Sequence, residues 1–402
     1  MKPLSALQRR MWHLCTSYPG TSSPIVVIAK RIRGPLDVAR FMDSVAGVVD
    51  RHESLRTVFA LQQGEPFQVA GPPGAFATEL VHTDDAHSAV EEQSTALLDL
   101  YHGPLVRSRL LRLTDNDHVW CFTIHHLLAD GASATIIENE VAALYSGESL
   151  PSVPEVAWED DPEALRWWVE ELAGVPVLWL PADMPRPPHK GTRAACHDEF
   201  LDLQLARDVE ELARAHRGTP FMVLLTAFQL TLAQLSGQHD FCVGVPADGR
   251  ASVEAEQAVG LFANMLAVRL RANQRSFAAQ MRQTRSAFIE ALSRQAVPFG
   301  QIVTSLELAD LPDQTQVFQT IFCLHTEATP RTDLPGLAIE PFSAGHPQAL
   351  HDLVLDLWRN DTGIVAAFRY DSCLFKPDTI ADLARRYIDV LRAAAADPEG
   401  AL

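Results

Sequence analysis

Two adjacent imidazoles, His125 and His126, close an apolar run in the stretch TIHHLLADGAS, residues 123–133, and Asp130 and Gly131 follow shortly after. On a strand, successive side chains point to opposite faces, so the two rings must diverge and only one can act as a reagent in a given cavity. An unperturbed imidazole titrates near 6.5, so at cellular pH it is mostly neutral and able to take a proton from an attacking nucleophile. Asp130 is too near in the chain to be a distant orienting partner. It is expected to fold back in the loop and hold the turn, or to bond a backbone group or an arginine. Gly131 lets the chain turn ahead of a helix and approach a ligand with no side chain in the way.

Other chemistries fit the pattern poorly. Neighbouring histidines on a strand cannot both face one metal ion, and no third ligand stands at useful spacing. The serine-hydrolase arrangement lacks its GxSxG elbow. What remains is direct transfer to an incoming nucleophile, with histidine as base and no covalent enzyme intermediate.

The elements that must position these groups belong to a long, mixed chain. Its 402 residues suffice for two domains with cores of their own, and 47% hydrophobic and 21% charged residues are the composition of a globular protein. A formal net charge of −18 argues against nucleic acid or an anionic membrane as partner, since both call for clustered Lys and Arg. The six cysteines (Cys15, Cys121, Cys196, Cys242, Cys323 and Cys373) show no CxxC pair and are read as not clustering with histidine, so neither a metal site nor a disulfide framework is expected. MKPLSALQRRMW lacks the apolar stretch of a signal peptide, and no run reaches the roughly 18 apolar residues of a membrane helix, so a cytoplasmic protein is expected.

Residues 24–34 (PIVVIAKRIRG) and 118–125 (HVWCFTIH) read as strands, and 35–52 as an amphipathic helix with Val38, Phe41, Val45 and Val48 or Val49 at helical spacing. Residues 133–145 offer Ser133 as the cap of a helix with Ile137, Val141, Leu144 and Tyr145 on one face. Pro, Gly and charge concentrate between about 146 and 192, around the helical piece ALRWWVEELAG. Beyond it the pattern repeats, with helices at 219–237, 276–295 and 377–397 and strands at 240–246 and 317–325. The economical interpretation is two successive α+β lobes, residues 1–170 and 171–402.

HHxxxDG after a strand is the signature of the chloramphenicol-acetyltransferase-like superfamily, and the chain resembles the nonribosomal peptide synthetase condensation domain in particular. LSALQRRMW (4–12) is similar to that family's opening SxAQxRLW, and RHESLRTVF (51–59) to its RHExLRTxF. GVPADGR (244–250) resembles the GxPxxGR turn, and GLFANMLAVR (260–269) the GxFxNTxxxR segment, with Met265 in place of threonine. RQAVPFGQIV (294–303) resembles HxDxPFE in Pro298 and Phe299 only, and VFQTIF (317–322) is similar to the LFQVMF strand, though the arginine and serine usual just upstream are absent.

The resemblance implies an α+β (α/β sandwich) fold, two acetyltransferase-like lobes forming a V with a central tunnel. It implies an acyltransferase that joins a carrier-bound acyl or peptidyl thioester to an amine or hydroxyl acceptor. His126 would be the catalytic histidine, His125 its structural neighbour, Asp130 half of an ion pair with Arg269, and Gly131 a backbone opening for the pantetheine arm or the developing oxyanion. Ala132, where tryptophan is common, Asn264, and Thr326, where many members carry asparagine, would line the tunnel. No tightly bound cofactor or metal is implied, because phosphopantetheine arrives on partner carrier proteins. A coenzyme A-dependent acyltransferase, a noncatalytic recruitment module and an epimerase relative are the alternatives.

Overall fold

The computed structural model describes residues 2–17, 24–154, 156, 161–187, 193–250, 252–308, 315–325, 334, 336–342 and 351–401. The chain forms two compact units. The first comprises Met1–Glu159, Asp248–Ala263 and Ala328–Pro347, and the second Asp160–Ala247, Asn264–Glu327 and Gln348–Leu402. The contiguous division at residue 170 is therefore corrected twice. The helix Pro162–Leu172 buries Ala164, Trp168 and Leu172 in the second unit's core, so the change of unit precedes it. Two later segments return to the first unit. A scan of composition sees where polarity changes along the chain and cannot see a segment rejoining an earlier core.

In the first unit a five-stranded sheet runs in the order Ala338–Pro341, Ile25–Arg33, Asp117–His125, Val106–Thr114, Glu79–His82. The central strand Asp117–His125 is antiparallel to both neighbours, with His125 opposite Ile25 and Ile124 opposite Val26 and Val106. Both of its faces are covered. Trp120, Phe122 and Ile124 join Phe41, Val45, Val48, Ile137 and Val141 in the main core, while Val119 and Cys121 pack with Val90 of the helix Ala86–Thr95. This double burial explains why HVWCFTIH is continuously apolar instead of alternating. Each large side chain so buried contributes roughly 1.5–3 kcal/mol, which fixes the strand end that delivers the histidines.

The second unit holds a six-stranded sheet in the order Asn264–Arg271, Asp240–Ala247, Phe318–His325, Leu353–Asn360, Gly363–Asp371, Ala194–Asp202. Phe318–His325 is parallel to both of its neighbours and the remaining pairs are antiparallel. The helix Pro220–Ser236 starts on a Thr219 cap with Pro220 in its first turn and ends at Gly237 in the left-handed region (φ 69°). It is buried all round from Met222 to Ala233, as its lack of a polar face requires. No single helix among the described residues is long and apolar enough to cross a membrane.

Candidate active site

The central strand ends at His125, so His126 is the first residue of the following turn and not a strand residue. The rings diverge because the backbone leaves the sheet between them. His125 is buried, its Nδ1 accepts from the Leu127 N–H at 3.1 Å, and its Nε2 lies 3.8 Å from Cys15 Sγ. An Nδ1 that accepts carries no proton, which fixes the neutral tautomer with hydrogen on Nε2. Burial, aided by the charge of His126, lowers the His125 pKa from 6.5 to about 3. Between those values the unfolded chain binds a proton that the folded chain refuses, so stability is intact above pH 6.5 and lost as pH falls toward about 3. His125→Asn, which keeps an acceptor in place, is expected to flatten the loss by about 1.4 kcal/mol per pH unit. Urea unfolding at stepped pH measures it.

His126 is half-buried, its backbone N–H bonds the Pro24 carbonyl at 2.8 Å, and its Nδ1 is buried with no partner among the described residues. Burial lowers its pKa below the ordinary 6.5, against the opposing pull of the Asp130 charge and of backbone groups of His126 and Ala129. The ring is therefore neutral at neutral pH, the form that accepts a proton.

Asp130 caps the helix Gly131–Ser146, accepting from the Ser133 N–H at 2.9 Å. The helix thus begins before Ser133, the expected cap, and the Ser133 hydroxyl instead donates to Asp130 Oδ1. The partner of Asp130 is Arg250, not Arg269. Arg250 Nη1 reaches Oδ2 at 2.9 Å and Nη2 reaches Oδ1 at 2.8 Å, with both side chains buried. The N–H groups of Phe262 and Ala263 also donate to Oδ2, each at 2.9 Å. Burial works to raise the Asp130 pKa, but the hydrogen bond and charge of Arg250, with the N–H groups of Ser133 and Phe262, outweigh it and hold the group below the ordinary carboxylate value. Asp130 is a charged anchor between the Gly131–Ser146 helix and the 248–263 segment. It makes no hydrogen bond to His126 among the described residues, and it acts on that ring only through its charge.

Arg269 belongs to the second unit, where Asp240 takes its guanidinium at 2.9 and 2.7 Å and the carbonyls of Glu171 and Ala173 take the rest. Its place on a paired strand commits it to those neighbours, whereas Arg250 leaves the sheet on a tight turn. Gly249 makes that turn at φ 67°, and a Cβ there would stand 2.0 Å from the Phe262 carbonyl oxygen, so only glycine fits.

A family model of the condensation domain matches residues 1–402. The chain belongs to the condensation-domain family. It is 32% identical over 415 residues to tyrocidine synthase 3 of Brevibacillus parabrevis, covering 100% of the chain and 6% of that protein. It is 31% identical to malpinin synthetase of Mortierella alpina, covering 94% of the chain and 5% of that protein. This domain therefore spans only a small fraction of the length of those relatives. Among solved structures, the X-domain from teicoplanin biosynthesis matches with a TM-score of 0.90 at 26% identity, covering 99% of this chain and 96% of that one. The condensation domain from the Monacolin K polyketide synthase MokA shares the fold, with a TM-score of 0.88 at 21% identity, covering 100% of this chain and 98% of that one.

Two segments of this condensation domain that resemble family motifs act by holding the histidine loop. Ser5 and Gln8 form a reciprocal capping box at the start of the helix Ala6–Ser17, and Gln8 Nε2 then donates to the Leu127 carbonyl at 3.0 Å, directly beside His126. Arg51 and His52 both bond Glu140, at 3.1 and 2.7 Å, and so fix the helix that Asp130 caps. The contacts to Leu127 and Glu140 join residues far apart in the chain, so local spacing carries no sign of them.

The remaining expected site residues are distributed differently. Gly131 is exposed, its φ is not left-handed, and a Cβ on it would meet nothing within 4 Å, so it is not required by the turn. Ala132 is half-buried beside it. Asn264 is buried in the second unit and its amide is fully engaged: Nδ2 donates to the carbonyls of Gln295 and Val297, and Oδ1 accepts from the N–H groups of Met265 and Phe299. It is a backbone clamp with no polar atom left for a substrate. Asn264→Ala is expected to cost about 3 kcal/mol in denaturant unfolding, because it takes the amide partner from two carbonyls and two N–H groups. Thr326 lies outside the described residues. The expectation that no cysteine clusters with histidine is corrected as well, since Cys323, His325 and Asp356 meet in the second unit.

Proposed function

We propose that the chain is a condensation enzyme of nonribosomal peptide or hybrid polyketide assembly, joining an acyl or peptidyl thioester on a carrier protein to an amine or hydroxyl acceptor. His126 is the base and His125 its support. The observation that carries the reading is the neutral His126, unbonded at Nδ1, on a loop held from several sides by Gln8, Asp130 and Arg250. A base so held keeps its place, and a neutral ring can take the acceptor's proton as its nitrogen or oxygen attacks the thioester carbon. The open space over Gly131, at the start of a helix, suits a developing oxyanion or the pantetheine arm. Phosphopantetheine on partner carriers supplies the thioester, and the chain's own residues bind, orient and move the proton.

A second reading is a module that binds a partner protein without turnover. The likeness to the X-domain favours it, since that domain is also solved in complex with OxyB from teicoplanin biosynthesis. Mixing the protein with acylated carrier protein and small amines or alcohols separates the readings by product mass. Carrier-dependent product supports condensation, product from acyl-coenzyme A alone supports a soluble acyltransferase, and binding without product supports recruitment.

A further inference from the structure

Cys323 and His325 lie two apart on the strand Phe318–His325, so both side chains leave the same face of the sheet. Asp356, on the neighbouring parallel strand, sits beside them. His325 Nε2 and Asp356 Oδ1 are 2.8 Å apart, and Cys323 Sγ lies 3.9 Å from His325 Nδ1. Trp358 stacks on the imidazole at 4.7 Å with 7° between the planes, and Arg369 Nε holds the other carboxylate oxygen at 2.7 Å. A sulfur, a ring nitrogen facing it, and a third group that orients the ring make the arrangement of an activated nucleophile. The His325 side chain is 40% exposed, so the cluster is open to solvent.

We propose that Cys323, His325 and Asp356 form a second reactive centre, in which the thiol takes an acyl group from a thioester. The choice of thioester rests on the condensation reading, in which such groups reach the protein. The pair reacts as thiolate and imidazolium: the Cys323 proton sits on His325 Nδ1, and the sulfur attacks the thioester carbonyl carbon. The tetrahedral intermediate then expels the leaving thiolate, which recovers that proton. The products are an S-acylated Cys323 and a free thiol, and no oxidant or reductant is involved. Burial pulls the His325 pKa down, but the Asp356 hydrogen bond and the Cys323 sulfur outweigh it and raise it to about 9, so the ring readily carries the proton. Asp356 is less available as a metal ligand, because Arg369 and His325 already occupy its two oxygens.

Cys196 is an internal control. It is the exposed cysteine among the described six, yet burial of its sulfur and the Asp198 carboxylate push its pKa up to about 12. Exposure alone would make Cys196 react first, and the cluster makes Cys323 react first. The test treats the full-length protein with the acetyl thioester of N-acetylcysteamine and maps acylated cysteines by peptide mass at early times. Acylation of Cys323 at about ten times the rate of Cys196 or more is expected, and His325→Gln is expected to slow it about 100-fold. Equal or faster reaction at Cys196, an unchanged rate in His325→Gln, or full protection of Cys323 by equimolar zinc would each overturn the proposal. The wild-type ratio needs no variant, so a misfolded mutant does not blur the outcome. His126→Ala should leave Cys323 acylation intact while transfer to a hydroxyl acceptor falls at least about 100-fold, so the two readings fail separately.

Discussion

Replacing His126 by alanine lowers transfer to a hydroxyl acceptor by about 100- to 10,000-fold, and transfer to an amine by less. The difference follows from what each nucleophile needs. An aminoacyl α-amine has a pKa near 8, so roughly a tenth of it is neutral at pH 7 and attacks once positioned. A hydroxyl must lose its proton during attack, and a neutral imidazole is the group that takes it. His126 suits the role because burial keeps its pKa below 6.5 and its ring makes no structural bond at Nδ1. Single-turnover assays with matched amine and alcohol acceptors measure the split, and equal losses for both would refute it.

The Asp130–Arg250 pair carries the largest expected effect on stability. Arg250→Ala leaves a buried carboxylate facing the N–H groups of Ser133, Phe262 and Ala263 without its counter-charge, and Asp130→Ala leaves the guanidinium unpaired. Each single change is expected to cost about 3–5 kcal/mol. The double variant should cost clearly less than the sum, since each change removes what the other depended on. Denaturant unfolding of all four proteins gives the coupling, and additivity within about 0.5 kcal/mol would show the pair to be unimportant. The loop carrying His126 leads directly into the Asp130 cap, so the single variants should also lose transfer rate.

The sequence pattern made much of the scaffold legible, for identifiable reasons. The helix Val38–Arg51 announced itself through Phe41, Val45, Val48 and Val49 at helical spacing, and the Asp117–His125 strand through its unbroken apolar run. The adjacent strands Leu353–Asn360 and Gly363–Asp371 went unassigned, since Asp356 and Arg369 interrupt the apolar pattern that marks a strand. Those interrupting residues are members and neighbours of the Cys323 cluster. In the site, the histidines, Asp130 and Gly131 were legible as a unit because they are contiguous. Arg250 was not, although it closes the quoted GVPADGR turn. Its partnership with Asp130 depends on the 248–263 segment rejoining the first unit, and that is a matter of topology and not of local spacing. The left-handed Gly249 just before it was the available signal, since a glycine forced into a tight turn marks a residue whose direction matters.

The claim at the centre is that a neutral His126 takes the proton of the acceptor. The pH dependence of single-turnover transfer from an acylated carrier protein to a hydroxyl acceptor tests it most directly. The account predicts a rate that is flat at neutral pH and falls only below 6.5, the ordinary imidazole value from which burial lowers this ring, with that inflection lost in His126→Ala. An inflection above 6.5, or one that persists unchanged in the variant, would contradict it.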